Sequence, residues 1–153
     1  MIHVKAMQDD PTHIHNWLRI DSRLTTSGQP SESELAEIAA LGVRYVINLG
    51  LSSHEKALPD EAATVGALGM TYLHIPIDFQ HPTEADYQQF SSALTQTKDA
   101  ATHVHCIANY RVSALLYRYR RDVLGVDEAI ARADLARIWT PNDIWTALIE
   151  APR

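Results

Sequence analysis

A chain of 153 residues is long enough to bury about two thirds of its unfolded surface, so one domain over residues 1–153 is expected. Its 46% apolar and 21% charged residues are ordinary for a soluble globular protein, and no apolar run approaches the roughly 20 residues that span a bilayer. The net charge of -6 argues against a general nucleic-acid binder, and the single cysteine rules out an internal disulfide, which suits a reducing cytoplasm.

In chain order, Met1 to Lys5 lacks a secretory apolar segment. His13 and His15 flank Ile14, but two histidines without a third ligand read as surface residues. Trp17–Ile20 and Leu24–Ser27 read as short strands, and Ser27-Gly28-Gln29-Pro30 is a turn by composition. Ser31 to Leu41 carries a capping box, Ser31 with Glu34, and Gly42 stops that helix. Val43–Leu49 is a near-continuous apolar strand, as in a sheet covered on both faces.

The loop from Gly50 to Asp60 contains Ser52, Ser53, His54, Glu55 and Lys56; it borders a pocket or is simply solvated. Glu61–Leu68 is helical and Thr71–Pro76 is a strand. Thr83 caps the next helix with Asp86 at the capping-box place and Tyr87, Phe90 and Leu94 on one face. Thr102–His105 is the last strand. Asn109–Leu124 repeats apolar residues at helical spacing, with Arg118, Arg120 and Arg121 read as a solvated face. Helices from Asp127 to about Arg137 and from Asn142 to Ala151 complete the order β-β-α-β-α-β-α-β-α-α-α. That order implies an α/β fold: a mostly parallel sheet of about four to five strands flanked by helices on both faces.

Ligands of such sheets bind at the carboxyl edge of the strands. The rule gathers the loop after Asn48, the loop beginning at Asp78, and the stretch Val104-His105-Cys106-Ile107-Ala108-Asn109-Tyr110-Arg111-Val112-Ser113. Cys106 stands at a strand-to-helix turn, where free N–H groups and the helix dipole favour a thiolate. Arg111 offers a planar fork for two oxygens of a phosphate, and Ser113 offers a hydroxyl to the thiolate or a departing group. His103 and His105 share one strand face with Cys106 on the other, which argues against a compact zinc site.

These residues resemble the signature of the cysteine-dependent protein tyrosine and dual-specificity phosphatases: His-Cys, five residues, Arg, then Ser or Thr. Here four residues separate Cys106 from Arg111, while Ser113 keeps the family's distance from the cysteine. Val112 stands at the family's arginine position. Ala108 and Asn109 replace the usual glycine, and Asn109 tolerates positive φ better than most residues. Ser-Gly-Gln-Pro (27–30) resembles a bacterial branch of the family, and Gly-Val-Arg-Tyr-Val-Ile-Asn-Leu (42–49) and His-Ile-Pro-Ile-Asp (74–78) extend the resemblance.

The resemblance implies a dual-specificity-phosphatase-like fold with the cysteine strand central. It implies a phosphate monoester hydrolase acting on a phosphorylated protein or small phosphate ester, phosphotyrosine or similar, without metal or other cofactor. Cys106 is the expected nucleophile and Arg111 the oxyanion clamp. Asp78 is the expected proton donor, ahead of His81, Glu84 and Asp86. His105, Ile107, Ala108, Asn109, Tyr110, Val112 and Ser113 are the expected anion-binding shell, with His105 holding the loop and tuning the thiolate. Two alternatives stay open. One is a phosphate-binding module without catalysis; the other is a sulfurtransferase, because rhodanese-type enzymes resemble this loop and many use four residues before the arginine.

Overall fold

Alternate strand residues serve different cores, one on each face of a single sheet. A computed structural model of the chain describes residues 9–152. The ends of the expected domain, residues 1–8 and 153, lie outside the described residues. The strands are β1 (Leu18–Arg19), β2 (Leu24–Ser27), β3 (Tyr45–Asn48), β4 (Thr71–His74) and β5 (Thr102–His105). The sheet order is β1-β2-β5-β3-β4, with β1 antiparallel to β2 and the other pairings parallel. The cysteine strand is therefore central, as expected.

Helices α1 (Glu32–Ala40) and α2 (Glu61–Ala67) supply Leu35, Ile38 and Val65 to one core, which they share with Val46. The other core holds Ile47, Val104 and Cys106. It is built with α3 (Glu84–Gln96), α4 (Tyr110–Asp122), α5 (Glu128–Ala136) and α6 (Asp143–Ile149). The period-2 pleat thus sends Val46 and Ile47 to opposite cores. Both capping boxes form, Ser31 with Glu34 and Thr83 with Asp86, and each satisfies two free N–H groups of its helix start.

One reading fails. Arg118 and Arg120 do not face solvent; they are 3% and 7% exposed. Helix α4 is buried without interruption from Arg111 to Arg120, because it packs between the sheet and the other helices of its face. Arg118 donates to both carboxylate oxygens of Glu84 at 2.8 and 2.9 Å and to the Leu148 carbonyl at 3.2 Å. Its guanidinium lies 3.9 Å from the centre of the Tyr87 ring. Arg120 donates to Asp134 at 2.6 Å. These cations therefore join α4 to α3, α5 and α6. Arg121 is partly exposed and pairs with Asp122 and Glu150.

Candidate active site

The parallel strands point their carboxyl ends the same way, and hydrogen bonds continue past those ends. Leu49 N–H donates to the His105 carbonyl at 2.8 Å, Ile75 N–H to Asn48 at 2.9 Å, and Gln29 N–H to Ile107 at 3.0 Å. The loop after β5 is thereby held on two sides. Its approach to the 27–30 turn requires Gly28: a Cβ there would stand 2.5 Å from the Ile107 carbonyl oxygen and 2.7 Å from the His15 ring.

Asn109 supplies the bend that glycine usually makes. It takes φ +67° and precedes α4. Its side-chain amide donates to the Asn16 carbonyl at 2.9 Å and to Thr26 Oγ1 at 3.0 Å. Asn16, at φ +51°, donates in return to the Ala108 carbonyl at 2.9 Å. Two left-handed asparagines thus latch the segment before β1 onto the loop.

The backbone N–H groups of Ile107 through Val112 donate to no acceptor among the described residues; the first bond of the helix start is Ser113 N–H to Asn109. Beside them, Arg111 is only 8% exposed, and its Nε and Nη1 are buried without a partner. Stripping water from a guanidinium without replacing those bonds is costly, so this arrangement calls for an anion. Its cation sits 5.5 Å from the Phe79 ring centre. An open cleft of about 170 Å³ is lined by His54, Phe79, Cys106, Ile107, Ala108, Tyr110 and Arg111. Cys106 itself is 1% exposed, so it forms the floor rather than the rim. Tyr110 stacks on Trp139, rings 4.5 Å apart and 3° from parallel, and Phe79 meets Trp139 and Trp145. One wall is therefore aromatic.

Not every expected residue reaches this cleft. Asp78 is exposed and absent from its lining. The Gln80 N–H and the His81 ring hold its carboxyl below the usual carboxylate range. Glu84 holds Arg118, and Asp86 completes the Thr83 cap. Val112 packs into the core. Ser113 donates to the Tyr110 carbonyl at 3.2 Å and lines a separate small crevice. Two residues of helix turn it about 200° from Arg111, so moving the arginine one place toward the cysteine puts the two side chains out of phase. Phe79 is a lining residue that sequence reasoning left unassigned, and His54 comes from the loop read as bordering a pocket or solvated; that loop has no periodicity to reveal where it folds. The His54 Nδ1 accepts the Lys56 N–H at 3.0 Å, which leaves the proton of a neutral ring on Nε2. Among the described residues, no group of three or more His, Cys, Asp or Glu side chains is placed to hold a metal ion.

The family model described as "DSP-PTPase phosphatase fused to NAD+ Kinase" matches residues 5–140. The chain belongs to this family. A protein of the DUF442 group from Shewanella putrefaciens CN-32, named as a candidate phosphatase, is 33% identical with a TM-score of 0.80, covering 90% of this chain and 91% of that one. A beta-lactamase hydrolase-like protein of Agrobacterium fabrum is 31% identical over 123 residues. The match takes in 77% of this chain but 27% of that relative, so the chain spans about a quarter of its length. TpbA of P. aeruginosa, solved in complex with pTyr, is 19% identical with a TM-score of 0.72 over 93% of this chain and 86% of its own, and shows the shared fold. No helix among the described residues is long and apolar enough to cross a membrane.

Proposed function

We propose that this phosphatase-family chain hydrolyses phosphate monoesters through a cysteinyl-phosphate, working in a reducing compartment such as the bacterial cytoplasm. The observation that carries the reading is the pair of buried, unpartnered Arg111 nitrogens beside the free loop N–H groups and Cys106. The Cys106 thiolate attacks phosphorus and the ester P–O bond breaks. The charge on the transferring oxygens falls on the amides of Ile107 to Val112 and on the Arg111 fork. Water then attacks the cysteinyl-phosphate and releases phosphate and the thiolate. Asp78, on the loop after β4, is the proposed donor to the leaving oxygen; it stands exposed outside the cleft lining with its carboxyl held below the usual carboxylate range, so its donation is weak. Because no carboxyl lines the cleft as described, leaving groups that need little proton help are favoured. Phenolic esters meet that need, since a tyrosine hydroxyl ionises near pH 10 and an alkyl alcohol far higher. The aromatic wall of Phe79 and Tyr110 also suits a phenyl ring.

Two observations favour a second reading, sulfur transfer. The ring between Cys106 and Arg111 is one residue short for a phosphatase, and no carboxyl lines the cleft. In that reaction the thiolate attacks the outer sulfur of thiosulfate, the S–S bond breaks, and sulfite leaves with its charge and without a proton. Cyanide then takes the sulfur from the cysteine persulfide as thiocyanate. One experiment separates the readings: phosphate release from an aryl phosphate and thiocyanate release from thiosulfate and cyanide, measured on the same preparation and on Cys106→Ser. Aryl phosphate turnover lost in Cys106→Ser supports the first reading. Thiocyanate alone overturns it, and phosphate binding with neither activity assigns an anion-binding module.

A further inference from the structure

Beneath the loop, on the side away from the cleft, lies a buried histidine–carboxylate contact. His105 is fully buried and Glu61 is 6% exposed. His105 Nδ1 is 3.0 Å from the Cys106 carbonyl oxygen, and its Nε2 is 2.6 Å from Glu61 Oε2. The second carboxylate oxygen of Glu61 accepts the Gln29 side-chain N–H at 2.8 Å. A carbonyl only accepts, and so does an ionised carboxylate. A neutral imidazole carries one N–H and would leave its other lone pair facing an oxygen; with Glu61 ionised, the imidazolium is the form that satisfies both sides.

The surroundings agree. Burial opposes ionisation of Glu61, but the His105 hydrogen bond and charge, with the Gln29 amide, outweigh it and hold the carboxyl below its usual range. His103, whose ring stacks 6.3 Å from His105, does not compete for the charge. The Ser27 hydroxyl donates to the Gly28 carbonyl and so accepts from His103 Nε2, while Thr25 donates to Nδ1, which keeps that ring neutral. On β4, His74 Nε2 meets the Gly50 carbonyl at 2.7 Å, and the Tyr72 hydroxyl accepts from Asn48 at 3.0 Å with its ionisation pushed up to about 12 by burial. The ion pairs of His105 among the described residues are confined to Glu61.

We propose that Glu61, oriented by Gln29, is a positioning residue: it keeps His105 doubly protonated, and through it sustains the loop-holding and thiolate-tuning that the resemblance implies for that histidine. The inference rests on Cys106 reacting as a thiolate, and not on which group it transfers. Glu61 opens α2, more than forty positions before the cysteine, and acts only through His105.

The test reads the thiol itself. Cys106 is the only cysteine, so thiolate absorbance against pH reports one site. Glu61→Gln keeps the shape and removes the charge; the midpoint should rise by about one to two pH units, the effect of losing a cation a few ångströms away in a partly polar interior. His105→Gln should give a rise of the same size, and the two changes together no more than either alone. A midpoint unmoved in a folded Glu61→Gln chain overturns the proposal, even if its Tm falls. Nitrogen-15 NMR of the unaltered chain gives a second reading that needs no variant to fold. Both His105 ring nitrogens protonated at pH 7 supports the assignment, and one bare nitrogen refutes it. Loss of phosphate turnover with an intact thiol shift would count against the phosphatase reading, not against Glu61.

Discussion

The Arg111 guanidinium faces the ring of Phe79 at 5.5 Å while two of its nitrogens meet no protein acceptor. The ring holds the cation by its face without consuming its donors, which stay available to a substrate. Arg111→Lys keeps the charge but loses the fork, and kcat/KM for an aryl phosphate should fall about 100-fold or more. Phe79→Leu leaves the fork and loosens it; we expect a several-fold rise in KM with a smaller change in kcat. Steady-state kinetics on both variants check the pair.

The exposed position of Asp78 makes its role depend on the leaving group. Asp78→Asn should cost at least about tenfold with an alkyl phosphate, where proton donation matters, and little with p-nitrophenyl phosphate. An equal loss on both substrates would mean that Asp78 shapes the loop instead of donating a proton.

Gly28→Ala places a methyl group 2.5 Å from a backbone oxygen, which cannot swing away as a side chain would. Overpacking of this kind costs about 1–3 kcal/mol. Because the displaced group is the Ile107 carbonyl, activity should fall further than the stability loss explains. Denaturant unfolding and kinetics on one preparation compare the two.

The neutral, buried His103 sets a pH dependence. Burial, reinforced by the His105 charge, holds its ionisation well below the ordinary 6.5. Below about pH 6.5 the unfolded chain gains a proton at this site that the folded chain refuses, so stability is lost as pH falls, by at most about 1.4 kcal/mol per pH unit. The lowered Glu61 carboxyl contributes its own loss only further down, below about pH 4.5. Thermal unfolding between about pH 6.5 and 5.0 should show the slope, and His103→Gln should flatten it.

The buried arginine of α4 predicts an asymmetry. Arg118→Ala removes a stacked cation, its packing against Tyr87 and a donor to Leu148, and should cost about 1–3 kcal/mol. Its partner Glu84 is half exposed, so Glu84→Gln should cost less than about 1 kcal/mol. Urea midpoints of the two variants measure the difference.

Features written in local chemistry were legible from the sequence. Ser31 with Glu34, and Thr83 with Asp86, announce helix starts within four residues, and the element order follows. The tolerance of Asn109 for positive φ was also readable, because it belongs to the residue itself. Arg118 and Arg120 were misread because burial of α4 on all sides comes from helices far along the chain. The phase shift that takes Ser113 away from the cleft follows from helix geometry, but a signature counted in residues hides it. Glu61 and His54 were obscure for a similar reason: neither lies in a pattern that points to Cys106, and each meets the loop only after the sheet has assembled.

The latch between Asn16 and Asn109 bears on the order in which the molecule can be made. Strand β2 finds its parallel neighbour only in β5, and Asn16 finds its hydrogen-bond partners in Ala108 and Asn109. A ribosome therefore releases the first third of the chain with its central seam open, and the pocket cannot take shape until the cysteine strand emerges and threads into that gap. Closing so long a loop slows folding, which should make assembly of this site a late, all-or-nothing event rather than a gradual maturation.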